Sequence, residues 1–227
     1  MLSLNSEDIL TYLVRGFIIF LILPLHEYAH AWTAKKLGDD TAEYEGRLTL
    51  NPIAHIDPFG ALLLLFTGFG WAKPVPVNPL RFKHKVTMRG GMALTAAAGP
   101  ISNLLAALVG TVIFRIWEGL TITGDFASAY SGIVTMLLMD FVMINVGLAV
   151  FNLIPVPPLD GSKVLFYFLG SKGDKLVNWL NRNYTVVRLA FLVVMFSGIL
   201  SVPLLYVESY IMRGMMFITN WIPALFR

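Results

Sequence analysis

Between residues 9 and 25 the chain is apolar almost without a break, interrupted only by Thr11, Tyr12, Arg15 and Gly16. The run ends on His26-Glu27-Tyr28-Ala29-His30, the pattern H-E-x-x-H. An apolar stretch of this length predicts a helix that enters a bilayer. Ionisable groups in such a setting cost about 2.5–3.5 kcal/mol each at the bilayer centre, so they are there for a task. On a helix, positions four apart share one face, and His26 and His30 can offer two imidazoles to one metal ion. Glu27, beside the first histidine, is placed to take a proton from a water that the metal polarises.

Composition agrees with a membrane setting. Of 227 residues, 56% are hydrophobic and only 14% charged, with mean hydropathy +0.70. These values exclude an ordinary soluble domain. Cysteine is absent, which excludes disulfides and thiolate ligands and leaves His, Asp and Glu to hold a metal. The N-terminal MLSLNSEDIL has two acids and no basic residue, so no cleavable signal peptide is expected. Arg81, Lys83, Lys85 and Arg89 form a basic cluster. It reads as a loop beside anionic lipid; a nucleic-acid partner is not expected.

The sequence predicts an all-α polytopic membrane protein and a single integral-membrane unit, with a core over 7–169 and C-terminal helices over 184–225. Five full spans are expected, over about 7–37, 91–117, 129–153, 184–206 and 210–225. Residues 45–50 alternate like a strand, and Asn51-Pro52 marks a turn. Pro58 opens a short apolar run, 59–69, too brief to span and so expected to be re-entrant or interfacial. Residues 70–78, with Pro74 and Pro76 alternating with Val75 and Val77, predict a small extended, β-like segment at the cytoplasmic face, along a cleft. Gly99-Pro100-Ile101-Ser102-Asn103 is expected to interrupt the second span, with Asn103 either bracing a site or joining helices. Asp140 lies within the third span, with no catalytic role assigned.

A second informative stretch is Asn152-Leu-Ile-Pro-Val-Pro-Pro-Leu-Asp160-Gly161. Its three prolines forbid regular helix and predict an extended path that delivers Asp160. A catalytic zinc takes three protein ligands and leaves one position open, so Asp160 can complete a set with His26 and His30. The competing reading makes Asp160 the N-cap of the following helix.

Basic residues orient the chain. If the first helix runs inward, Lys35, Lys36, Arg47, Lys73, Arg81, Lys83, Lys85, Arg89, Lys163, Lys172, Lys175, Arg182, Arg188 and Arg227 fall inside, against Arg15, Arg115 and Arg213 outside. The N-terminus is then outside, the C-terminus inside, and both key stretches lie toward the cytoplasm.

HEYAH ending a first membrane helix, GPISN in a later one, and NLIPVPPLDG after it resemble the site-2 proteases, the intramembrane zinc metalloproteases. NPIAHIDPFG and GWAKPVPVNP look like the compact prokaryotic subgroup without PDZ or CBS domains. The resemblance runs to about Leu169. It implies one Zn2+ per chain on His26, His30 and Asp160, with Glu27 activating water and returning the proton to the leaving amine. It also implies that Asn152 holds the substrate backbone or the oxyanion, with Asn103 bracing the site. The expected partners are the bilayer and a membrane-protein substrate, a single-span helix that unwinds locally before attack. Val75 and Val77 can pair with the unwound segment as an added strand. His55 departs from the pattern and admits four readings: a group behind the ligands, a substrate contact, an inhibitory ligand or a plain loop histidine. Two other classes stay open: a metal transporter or channel, which would not need Glu27, and an inactive homologue that binds membrane partners without zinc.

Overall fold

The structure is a computed structural model of the chain, and it describes residues 6–60, 72–83, 85–122 and 131–226. Helix α1 (Ser6–Leu37) carries the H-E-x-x-H stretch through Pro24 without a break. It stops at Gly38, whose φ of 107° few other residues adopt. The Gly38 amide donates to Lys35 O and the Asp39 amide to Ala34 O, the paired closure of a helix C-terminus. A single turn, α2 (Thr41–Tyr44), follows.

The strand expected at 45–50 does not form. Gly46 turns the chain at φ 68°, and the Arg47 amide folds back to Ala42 O. Pro52–His55 is a 3-10 turn instead, its Ile53 amide donating to Asn51 Oδ1. Residues 58–60 are helical; the rest of the expected re-entrant helix, through residue 69, lies outside the described residues, as do Gly70 and Trp71. Ala72 makes one isolated antiparallel bridge with Ile56. Residues 73–78 then run without regular structure, as a strap, into the 3-10 turn Pro79–Arg81. Among the described residues there is no β-strand beyond that bridge.

Helix α3 (Met88–Ile122) is the hub, packing against α1, α4 (Ser131–Asn152) and α5 (Asp160–Leu169). The expected interruption at Gly99-Pro100 is absent: α3 runs straight through it. Pro100 removes one helical donor, yet flanking helices hold the segment on both sides. Small buried residues, Ala31 and Ala34 on α1 with Ala93, Ala96 and Ala107 on α3, let these backbones approach closely. Val142, Val146 and Val150 of α4 join Ala107 in the core, covered by Leu204, Ile211, Met212 and Met215.

The proline-rich link between α4 and α5 is not extended. Val156 N donates to Ile154 O and Leu159 N to Val156 O, which folds it into successive tight turns. Gly161 permits this, because a Cβ there would lie 2.2 Å from Leu153 O.

After a 3-10 turn at Gly170–Gly173 come α6 (Asp174–Arg182), α7 (Tyr184–Phe196) and α8 (Ser201–Ile218), and a last 3-10 turn, Ile222–Phe226. The C-terminal break falls earlier than expected. Gly198, at φ 74°, ends α7, and Pro203 sits in the first turn of α8, which then runs unbroken through Tyr206 and Tyr210. The two helices meet at 75°. Among the described residues, Met88–Thr121 and Ser131–Asn152 are long and apolar enough to cross a membrane, and the bent α7/α8 pair makes a third if it counts as one span.

Candidate metal centre

Helices α1, α3 and α5 converge on one point. His26 and His30, one turn apart on α1, bring their Nε2 atoms to 3.0 Å. Asp160 Oδ2 lies 3.3 Å from the first and 3.2 Å from the second. Asp160 is the first helical residue of α5, and Leu159 takes the cap position. Its carboxylate faces the imidazoles, with Lys163 Nζ at 3.2 Å from the other oxygen.

The other nitrogen of each ring is already engaged. His30 Nδ1 donates to the carbonyl of Thr95 at 2.6 Å. A carbonyl only accepts, so the hydrogen of the neutral ring sits on Nδ1 and Nε2 presents a lone pair. His26 Nδ1 meets Asn103 Oδ1 at 2.5 Å, with the same result. Three electron-rich atoms thus face one another in a buried pocket, an arrangement that a cation relieves. Zinc bonds of about 2.0–2.1 Å at tetrahedral angles set ligand atoms roughly 3.3 Å apart. The observed triangle of 3.0, 3.2 and 3.3 Å fits that spacing.

Gly99 completes the fit. A Cβ on Gly99 would stand 2.5 Å from both Nε2 atoms, so the imidazoles occupy room that only glycine leaves. Thr95, Gly99 and Asn103 recur every fourth residue on α3 and form one stripe against His30 and His26 on α1.

Glu27 is also buried, and its Oε2 accepts a hydrogen bond from the Val75 amide at 3.1 Å. The strap therefore lies over the site. Both its ends are tied: Lys73 N donates to His55 O at 2.9 Å, and Asn78 N donates to Asp39 Oδ2 at 2.6 Å. His26, His30, Asp160, Glu27 and the strap share a cavity of about 620 Å³, lined also by Asn152 and, from α7, Tyr184, Arg188 and Phe191. Asn152 ends α4 on the cavity wall, where its Nδ2 donates to Leu148 O at 2.9 Å.

His55 lies elsewhere. It is 1% exposed, its Nε2 donates to Thr49 O at 2.8 Å, and its Nδ1 faces Arg47 at 3.4 Å. Arg47 reaches on to the carbonyl of Lys73. His55 is outside the cavity lining and the three-ligand group, and its contacts tie the loop to the strap. Three contributors escaped the sequence reading: the Gly99 gap, the Thr95 carbonyl and the Val75 amide. Only the first carried a signal, the four-residue spacing from Gly99 to Asn103.

Residues 16–196 match Peptidase family M50. A Bacillus subtilis protein named "Putative zinc metalloprotease YwhC" is 42% identical over 158 residues, covering 70% of this chain and 69% of that protein. Proteins named "Putative zinc metalloprotease Rip2" from Mycolicibacterium smegmatis and Mycobacterium tuberculosis are 29% and 28% identical, over 70% and 67% of this chain. The chain spans little more than half of these two, 57% and 55%. No solved structure matches.

Proposed function

From the premise that this chain belongs to peptidase family M50, the site-2 proteases, we propose that it cuts membrane proteins within or beside their membrane-spanning segments. It is a zinc-dependent protease. The observation that carries the reading is the triangle of His26, His30 and Asp160 with Glu27 beside it, in one cavity among helices of membrane-spanning length.

His26, His30 and Asp160 would hold one zinc ion per chain. When bound, zinc supplies Lewis acidity at the scissile carbonyl and lowers the pKa of an attacking water toward ~7. Glu27 takes the proton of that water and hands it to the leaving amine. The Val75 amide, donating to Oε2, fixes the orientation of the carboxylate while it does so. Asn152, on the cavity wall, retains a carbonyl and one amide hydrogen for the substrate backbone or the developing oxyanion. Asn103 braces His26.

The substrate is read as a single-span helix, opened locally where it enters the cavity. The strap receives it as an added strand through Val75 and Val77. The prolines at 74 and 76 carry no amide hydrogen, and the Val75 amide already serves Glu27. Val77 is therefore the cleaner test: Val77→Pro lowers turnover while zinc content stays at the wild-type level. Unchanged turnover would refute the strand-addition step. In the bilayer we place the N-terminus outside, the C-terminus inside and the site toward the cytoplasm, with five spans and a short re-entrant element forming one peptidase unit.

The decisive experiment co-expresses wild type or Glu27→Gln with candidate single-span membrane proteins. Wild type yields cleavage products and Glu27→Gln yields none. Equal cleavage by both would remove Glu27 from the reaction, and metal transport by Glu27→Gln with no cleavage by either would replace protease with transporter.

A further inference from the structure

Behind Asn103 stands a second buried amide that the chemistry above leaves unused. Asn145, on α4, is 0% exposed, as is Asn103. Its Nδ2 donates to the carbonyl of Phe141 at 2.9 Å, one turn back on its own helix. Its Oδ1 accepts from Asn103 Nδ2 at 3.1 Å. Asn103 Oδ1 then accepts from His26 Nδ1 at 2.5 Å. Four groups on three helices thus form one unbranched chain.

The chain has a direction, and a main-chain atom sets it. A carbonyl oxygen cannot donate, so only the NH2 end of Asn145 can face Phe141. Its oxygen must then face Asn103, which must answer with its own NH2. The Asn103 oxygen is left toward His26, so the imidazole hydrogen belongs on Nδ1 and the lone pair on Nε2. Turning either amide over would set oxygen against oxygen, or NH2 against N–H, in a buried place.

We infer that Asn145 is a positioning residue for the metal centre: through Asn103 it fixes which nitrogen of His26 is free to bind zinc. The inference rests on His26 serving as a ligand. The opposing account makes Asn145 only a hydrogen-bonded link between α3 and α4, a usual task for a buried amide between membrane helices. That account predicts a loss of stability and nothing more. A relay also predicts a loss of metal affinity, and predicts that the two asparagines are not independent.

The test uses the full chain in detergent, in the Glu27→Gln background so that no self-cleavage interferes, with zinc titrated against a chelating dye. Asn145→Ala raises the zinc Kd by about 10–100-fold, the usual effect of losing a partner behind a ligand. Asn103→Ala does the same, and the double variant is no worse than the weaker-binding single one, because both act through one ring. Val146→Ala, a core change at the next position, lowers the melting temperature and leaves the Kd unchanged. If the alanine variant does not fold, Asn145→Leu keeps the branched skeleton without the amide and has the same expected Kd. Wild-type affinity in the folded Asn145 variant overturns the inference, as does a double variant whose loss is the product of the two single losses. His26→Ala separates the two levels: wild-type zinc affinity in that variant would overturn the ligand assignment itself, whereas lost affinity there leaves Asn145 to be judged on its own result.

Discussion

Gly99 shows how a missing side chain can be the functional part. Alanine is about 1 kcal/mol better than glycine inside a helix, so Gly99→Ala suits α3 as a helix. Yet the added methyl would stand 2.5 Å from both Nε2 atoms and force the imidazoles away. We expect Gly99→Ala to keep its helical circular dichroism and to lose its zinc, measured by elemental analysis of the purified protein. Thr95 supplies the opposite case. His30 is held by its main-chain carbonyl, and the Thr95 hydroxyl makes no hydrogen bond among the described residues. Thr95→Val should therefore retain one zinc per chain, whereas Asn103→Ala should bind about 10–100-fold more weakly in a chelator titration. The candidate ligands His26 and His30, with Glu27, could be read from the sequence because ionisable groups at the end of an apolar run are conspicuous, whereas Asp160 could be read only from its proline-rich stretch and the need of a histidine pair for a third ligand. Gly99 carried only its four-residue spacing to Asn103, a signal masked because α3 is rich in small residues and one more reads as packing. The Thr95 carbonyl and the Val75 amide belong to the main chain, which every sequence has. His55 stays open among four readings in the sequence, because its burial against Thr49 and Arg47, away from the cavity lining, is visible only in the fold.

Two helices meet here as matched rulers. His26 and His30 on α1 are four residues apart, and Asn103 and Thr95, which hold them, lie four residues to either side of Gly99 on α3. Helix extents for α1, α3 and α4 were legible to within a few residues, because long apolar runs with caps leave little choice. The errors came from proline and glycine. Pro100 lies in a helix that its neighbours support, the link before Asp160 coils into turns, and Gly198 ends α7 where hydropathy alone gave no signal. The strap is the element most open to test. Asp39, 0% exposed, accepts from Asn78 N, Thr41 N and Thr41 Oγ1, and so pins the downstream end. Asp39→Ala leaves those donors without a partner, at about 1–3 kcal/mol. The expected result is faster amide hydrogen exchange at Val75, Val77 and Asn78 with zinc content unchanged; protection equal to wild type would show that the upstream tie at Lys73 suffices.

At the scale of the whole molecule, the membrane arrangement is the least determined by sequence. Hydropathy marks where apolar segments lie, but it carries no sign of the 75° bend at which α7 and α8 meet. The chain contains no cysteine, so any introduced thiol is unique. Gly132, whose Cβ position is open, and Lys175, on α6, should fall on opposite sides. In intact cells an impermeant maleimide should label Gly132→Cys and spare Lys175→Cys until the membrane is permeabilised; the reverse pattern would invert the orientation. With Asp160 as the third ligand, its place in the sequence would also govern when the molecule becomes able to cut. His26 and His30 emerge early in synthesis, while Asp160 arrives only after α3 and α4 have been made. A nascent chain that stalls before that point carries two of the three candidate ligands and lacks the last, so the order of residues along the polypeptide would act as a safety catch on a cutting tool assembled inside the membrane.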